Sequence, residues 1–179
     1  KLFTYKKDAK VNYIPFVLPP ADNADNNEKV NYANRLLKEY TTARNKGLTT
    51  DFPPDILAKI SQYILSDKLC KNINDDRNYS KVIAFARTIP GVQHIDKNNS
   101  SKALKIYYCN EINRALNADF NILLENSELS TRDKVHKIND KILDTMHNLL
   151  NTYNITVPPD IWNEPIELIK MIATLKQIN

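Results

Sequence analysis

Three histidines and two cysteines are the residues of this 179-residue chain best suited to metal or nucleophilic chemistry. His136 and His147 fall on one helical stretch, three turns apart. They face the same way but sit about 16 Å apart along the axis, too far to share a metal. His136 and Asp140 are one turn apart and could chelate an ion, although a solvated i,i+4 pair is the ordinary outcome. His94 precedes Asp96 in a polar loop and could act as a general base. No Ser or Cys nucleophile stands in a recognisable setting for it. Asp75-Asp76-Arg77 and Glu164/Glu167 with Lys170 supply carboxylates of the kind a nuclease gathers, usually on a mixed sheet. Asp75 and Asp76 are equally suited to the first turn of a helix, where the dipole favours them. The expectation is a chain with no catalytic residues, no metal ligands and no cofactor, and so not an enzyme.

Cys70 and Cys109 are the only cysteines, and no CxxC spacing exists. Two are too few for a disulfide framework. The expectation is a pair of half-buried free thiols in a reducing compartment. A single disulfide is the alternative if the chain is secreted. Asn is the commonest residue, with Lys and Ile close behind. AT-rich coding sequence produces that bias, as in many viruses, phages and parasites. Glycosylation triplets begin at Asn78, Asn98, Asn99 and Asn154. So Asn-rich a chain generates such triplets by chance, and they carry no argument for secretion. A cytoplasmic or nuclear location is therefore expected over a secreted one. The chain begins at Lys1 rather than Met, as a processed or trimmed product would. No apolar run approaches the ~20 residues of a membrane span.

The chain has only two glycines, where average usage would give about a dozen. Phosphate-cradling loops and many-hairpin barrels need glycine for positive φ and close backbone approach. Both classes are excluded. Gly47 and Gly91 each fall just beyond a helical pattern and read as terminators. The net charge is +4, a modest excess. Its densest cluster is Lys1, Lys6, Lys7 and Lys10 in the N-terminal segment.

That segment is aromatic and β-branched, with Pro15, Pro19 and Pro20 barring a central strand. It reads as an extended arm, with at most a short ribbon. A polar linker ends near Asn27, giving an arm over 1–27 and one helical domain over 28–179. Helical stripes then recur. Val30, Ala33, Leu37 and Tyr40 mark a helix over about 28–46. Ile56, Leu57, Ile60, Ile64 and Leu65 mark one opened by Pro53-Pro54 and capped by Thr50 or Asp51. Val82 to Ile89 forms a third, ended by Pro90-Gly91. Ser100 or Ser101 caps a fourth, to about Leu116, that is apolar on two sides and expected at the centre of the core. A short helix over 119–125 follows. Ser130 to Asp133 resembles a capping box ahead of a long amphipathic helix carrying Val135, Ile138, Ile142, Met146, Leu149 and Tyr153. A last helix carries Ile166, Ile169 and Ile172.

The result is an all-α fold: a compact bundle of about six to seven helices with an extended N-terminal arm. Pro-Pro-Asp-Ile occurs at Pro53 and again at Pro158, where the same helix-opening chemistry is used twice. Ile89-Pro90-Gly91-Val92 lacks the second glycine of a DNA-binding helix-hairpin-helix loop, with Gln93 in its place. The Phe52 to Ile60 segment has no downstream pattern to extend it into an F-box.

Functionally, the expectation is a non-catalytic interaction or assembly module binding a protein partner or a second copy of itself. Tyr13, Ile14, Phe16 and Leu18 of the arm are the expected contacts, because that apolar stretch has no sheet of its own. Trp162, the only tryptophan, either packs on the long helix or anchors an interface. The alternative is nucleic-acid binding through Lys6, Lys7 and Lys10 with Lys134, Lys137 and Lys141 of the long helix.

Overall fold

A computed structural model describes residues 3–5, 11–13, 18–71, 76–90, 92 and 101–174. Its six α-helices are α1 (Asn26–Asn45), α2 (Pro54–Cys70), α3 (Asp76–Ala86), α4 (Lys102–Glu125), α5 (Thr131–Thr152) and α6 (Pro165–Thr174). Three short strands accompany them: β1 (Phe3–Tyr5), β2 (Val11–Tyr13) and β3 (Thr49–Asp51).

Short polar side chains start α1, α4 and α5. Asp25 caps α1 by accepting the Glu28 N–H at 2.9 Å. Ser101 and Ser130 do the same for Leu104 and Asp133 at the heads of α4 and α5. Helix α2 opens differently. Pro53 is its N-cap residue, with no side-chain cap, and Thr50 and Asp51 belong to β3 instead. A proline at the start needs no cap for the donor it lacks.

The ends of α1 and α5 share one geometry. Gly47 has φ +72°, and the N–H groups of Gly47 and Leu48 donate to Arg44 O and Ala43 O at 2.9 and 3.0 Å. Asn154 has φ +56°, and the N–H groups of Asn154 and Ile155 donate to Asn151 O and Leu150 O at 3.0 and 2.9 Å. Both are Schellman endings, with glycine in one and asparagine in the other.

The bundle is built around α2, which packs against α1, α4, α5 and α6. Its Ile60, Ile64, Leu65 and Leu69 are fully buried. They meet Leu36 and Leu37 of α1, Ile112 and Leu116 of α4, Ile142 and Met146 of α5, and Ile169 of α6 in one continuous core. Helix α4 is not the central element expected of it. Cys109, Ile112, Leu116 and Phe120 turn inward, but Ile106 and Tyr107 are 45% and 55% exposed. The helices expected over 101–116 and 119–125 are one continuous α4. Asn117-Ala118-Asp119 contains no Pro or Gly, and Asn and Asp inside a helix cost only tenths of a kcal/mol (about 0.7 at most).

The described strands of the arm form the short ribbon expected there. β1 pairs antiparallel with β2, placing Phe3 opposite Tyr13, and with β3, placing Phe3 opposite Asp51. The strand order is β2-β1-β3. Arm backbone is thus joined to the segment between α1 and α2, which adds a third strand to the short ribbon expected of the arm. Three-residue strands rely on such pairing for their backbone hydrogen bonds.

The cysteines also depart from expectation. Cys70, at the end of α2, and Cys109, in α4, form a disulfide with Cα atoms 5.9 Å apart. The packing of α2 on α4 brings together residues 39 apart in sequence, within the reach a disulfide requires.

Candidate interaction surface

The second Pro-Pro-Asp-Ile segment forms a single 3₁₀ turn, Pro159–Ile161, and not an α-helix. The turn sets Trp162 over α5. The indole stacks on His147, with ring centroids 3.9 Å apart and planes 16° from parallel. The His147 Nε2 lies 2.8 Å from the Trp162 carbonyl oxygen. Since the carbonyl only accepts, Nε2 carries the proton. Trp162 is held at ring and backbone yet remains 46% exposed. It is therefore not the core residue that packing on the long helix would make it.

The neighbouring surface is charged. Glu164 follows Trp162 by two residues, and its carboxylate, with that of Glu167, acts on Arg44 near the C-terminal end of α1. Arg44 donates to the Tyr40 hydroxyl at 2.8 Å and lies 5.7 Å from that ring's centroid. Tyr40 stacks in turn on Phe52 at 5.8 Å. Burial raises the Tyr40 phenol above its ordinary range, and Arg44 opposes the shift. Strand β3 leaves α1 at this same end. One end of the bundle thus collects the Trp162 turn, Arg44, β3 and, through β3, the arm strands.

Of the expected partner-binding residues, Tyr13, Leu18 and Trp162 fall among the described residues. Tyr13 lies in β2, joined through β1 to β3. Leu18 is 74% exposed but precedes the opposite end of α1, a helix of 20 residues and so about 30 Å long. Ile14 and Phe16 lie outside the described residues, as do Lys6, Lys7, Lys10 and His94.

The lysines of α5 are interleaved with acids. Lys141 pairs with Asp119 of α4 at 2.9 Å. His136 and Asp140 form an exposed pair at 3.5 Å. Asp133 precedes Lys134 and Lys137, and Asp140 and Asp144 flank Lys141 along the helix. Lys170 pairs with Glu167 on its own helix at 3.3 Å. Among the described residues, no three His, Cys, Asp or Glu side chains gather to hold a metal ion, and no helix is long and apolar enough to cross a membrane.

Two polar features had no separate signal in the sequence. A cleft of about 240 Å³ between α1, α2 and α4 is lined by Lys29, Gln62, Tyr63, Ser66, Asp67 and Asn113, among others. Asn113 donates to Ser66 Oγ at 3.0 Å and, more weakly, toward Cys70 Sγ at 3.9 Å. Gln62 donates to the Asn113 carbonyl oxygen at 3.3 Å. These bonds fasten α2 to α4 beside the disulfide. Lys105 of α4 is only 4% exposed, its ammonium 5.0 Å from the centroid of Tyr79 in α3, a cation–π contact. Asn113 and Lys105 carry no such signal because their partners, Ser66 and Tyr79, are distant in sequence. Comparison with protein-family models, with curated proteins and with solved structures finds no match for this chain.

Proposed function

We propose that the protein is a non-catalytic helical interaction module. It engages a protein partner at the end of the bundle where Trp162, Arg44 and the arm-bearing sheet converge. The supporting observation is the mounting of Trp162. A large aromatic left half exposed, yet fixed by a ring stack and a backbone hydrogen bond, loses little conformational freedom on binding. Such residues are enriched among those that dominate interface energetics. β2 is the outer described strand on the arm side, so a partner strand adding to it would extend the same surface. Nucleic-acid binding has less support, because acids stand among the lysines of α5 and Lys141 is paired with Asp119.

A photoreactive residue in place of exposed Asn163, in the full chain within an extract of its native source, tests this. The expected outcome is a defined protein adduct, either heterologous or a self-adduct, that disappears in Trp162→Ala and on deletion of Lys1 to Pro20. Loss of neither adduct nor yield in both variants would remove the proposal. Tight duplex binding, with affinity falling at a slope of about −0.9 per phosphate neutralised, would favour the alternative.

A further inference from the structure

We infer that Asn154 is an N-glycosylation site. Asn154-Ile155-Thr156 is an acceptor triplet, and three structural observations separate it from chance. Asn154 is exposed, at the turn after α5, with φ +56°. Its backbone N–H is spent on the Schellman ending, donating to Asn151 O, while its side-chain amide has no hydrogen-bond partner among the described residues. The structural role of Asn154 therefore uses the backbone and leaves the reacting group free. Finally, the chain carries the Cys70–Cys109 disulfide. Such a bond persists in an oxidising compartment, and secreted chains are where the triplet is modified. Of the other triplets, Asn98 and Asn99 lie outside the described residues, and Asn78 sits within helix α3.

Asn154 Nδ2 forms a bond to the anomeric carbon of an oligosaccharide carried on a lipid pyrophosphate donor. The bond from that carbon to the pyrophosphate oxygen breaks. The lipid pyrophosphate leaves with the electron pair, and the amide loses one proton. No redox change occurs.

The surroundings leave room for a glycan. Thr156, Pro158, Pro159 and Asp160 are all exposed, whereas Tyr153 beside Asn154 is buried and holds the turn to the core. The test uses the full chain recovered from its native source. Enzymatic release of N-glycans in heavy-oxygen water converts an occupied Asn154 to labelled aspartate, read by peptide mass spectrometry. The expected result is label at residue 154 and, on non-reducing analysis, an intact Cys70–Cys109 bond. Thr156→Ala should lose that label entirely while retaining the disulfide and the helical circular dichroism. It preserves Asn154 and its turn, so loss of label there reports the acceptor chemistry and not the fold. Unlabelled Asn154 in the disulfide-bonded chain overturns the inference, and so do two free thiols in the native protein.

Discussion

Breaking the Cys70–Cys109 cross-link should lower the melting temperature by roughly 8–16 °C. The bond closes a segment whose ends are 39 residues apart. Chain-entropy arithmetic for a loop of that size gives about 13 cal/mol/K, or about 4 kcal/mol at 25 °C, removed from the unfolded ensemble. A domain of this length loses roughly 2–4 °C per kcal/mol. Cys109 is 4% exposed, which shields it from reductant in the native state. Substitution is therefore the cleaner perturbation. Cys70→Ala, Cys109→Ala and the double variant are compared by differential scanning calorimetry, with free thiols counted in denaturant. Either single substitution already opens the loop, so the double variant should fall little below the worse single one, a strong departure from additivity. Additive single effects, or a shift under about 2 °C in the double variant, would refute a constraint worked from loop closure. The Ser66–Asn113–Gln62 bonds also hold α2 to α4. The double variant should therefore remain folded, with its helical signal intact at 25 °C.

Two further outcomes follow from turn geometry and buried phenols. Gly47→Ala and Asn154→Ala should each destabilise by about 1–2 kcal/mol in urea titrations, because alanine resists the left-handed region. No atom lies within 4 Å of a Cβ placed at Gly47, so Gly47→Asn should recover most of that loss, and failure to do so would mean that sterics govern the site. Burial pushes the Tyr32 phenol from 10.0 up to about 12 and raises those of Tyr40, Tyr63 and Tyr153. These groups stay protonated when folded but ionise near pH 10 once unfolded. Their contribution is fully present below pH 10 and is lost as the pH climbs toward 12. The melting temperature should fall across that window, and Tyr153→Phe should flatten the decline.

What the one-dimensional pattern revealed follows the range of the forces involved. The periodic stripes of α1, α2, α3, α5 and α6 locate those helices, because an amphipathic face is written within a few turns of chain. Ser101, Ser130 and Gly47 mark ends for the same local reason. The sequence pattern divides α4 between Leu116 and Asp119, where Asn117 has low helix propensity, but propensity yields to the burial of Leu116 and Phe120 on either side. Of the sheet, only the short ribbon of the arm was legible, from its aromatic and β-branched residues. Three-residue strands are too short for alternation to register, and β3 exists through pairing with β1, a segment some 45 residues earlier in the chain. The disulfide was hidden similarly, since its partners meet only after α2 packs on α4.

The candidate surface was half legible, and Trp162 shows where the boundary lies. Its type and its place after Pro158-Pro159 mark a loop-to-helix junction, yet whether it faces core or solvent depends on how the 3₁₀ turn lands on α5, and so on His147. Leu18 precedes the start of α1 at Asn26, whereas the arm strands are joined through β3 to the segment that follows the other end of that helix. Glycine scarcity has a comparable resolution. With Gly47 ending α1, a second left-handed ending at α5 falls to Asn154, the residue type that bears positive φ at least cost after glycine. That substitution of asparagine for glycine is what places a free carboxamide at an exposed turn two residues before Thr156. A backbone requirement of the fold and the chemistry of an acceptor thus coincide at one position.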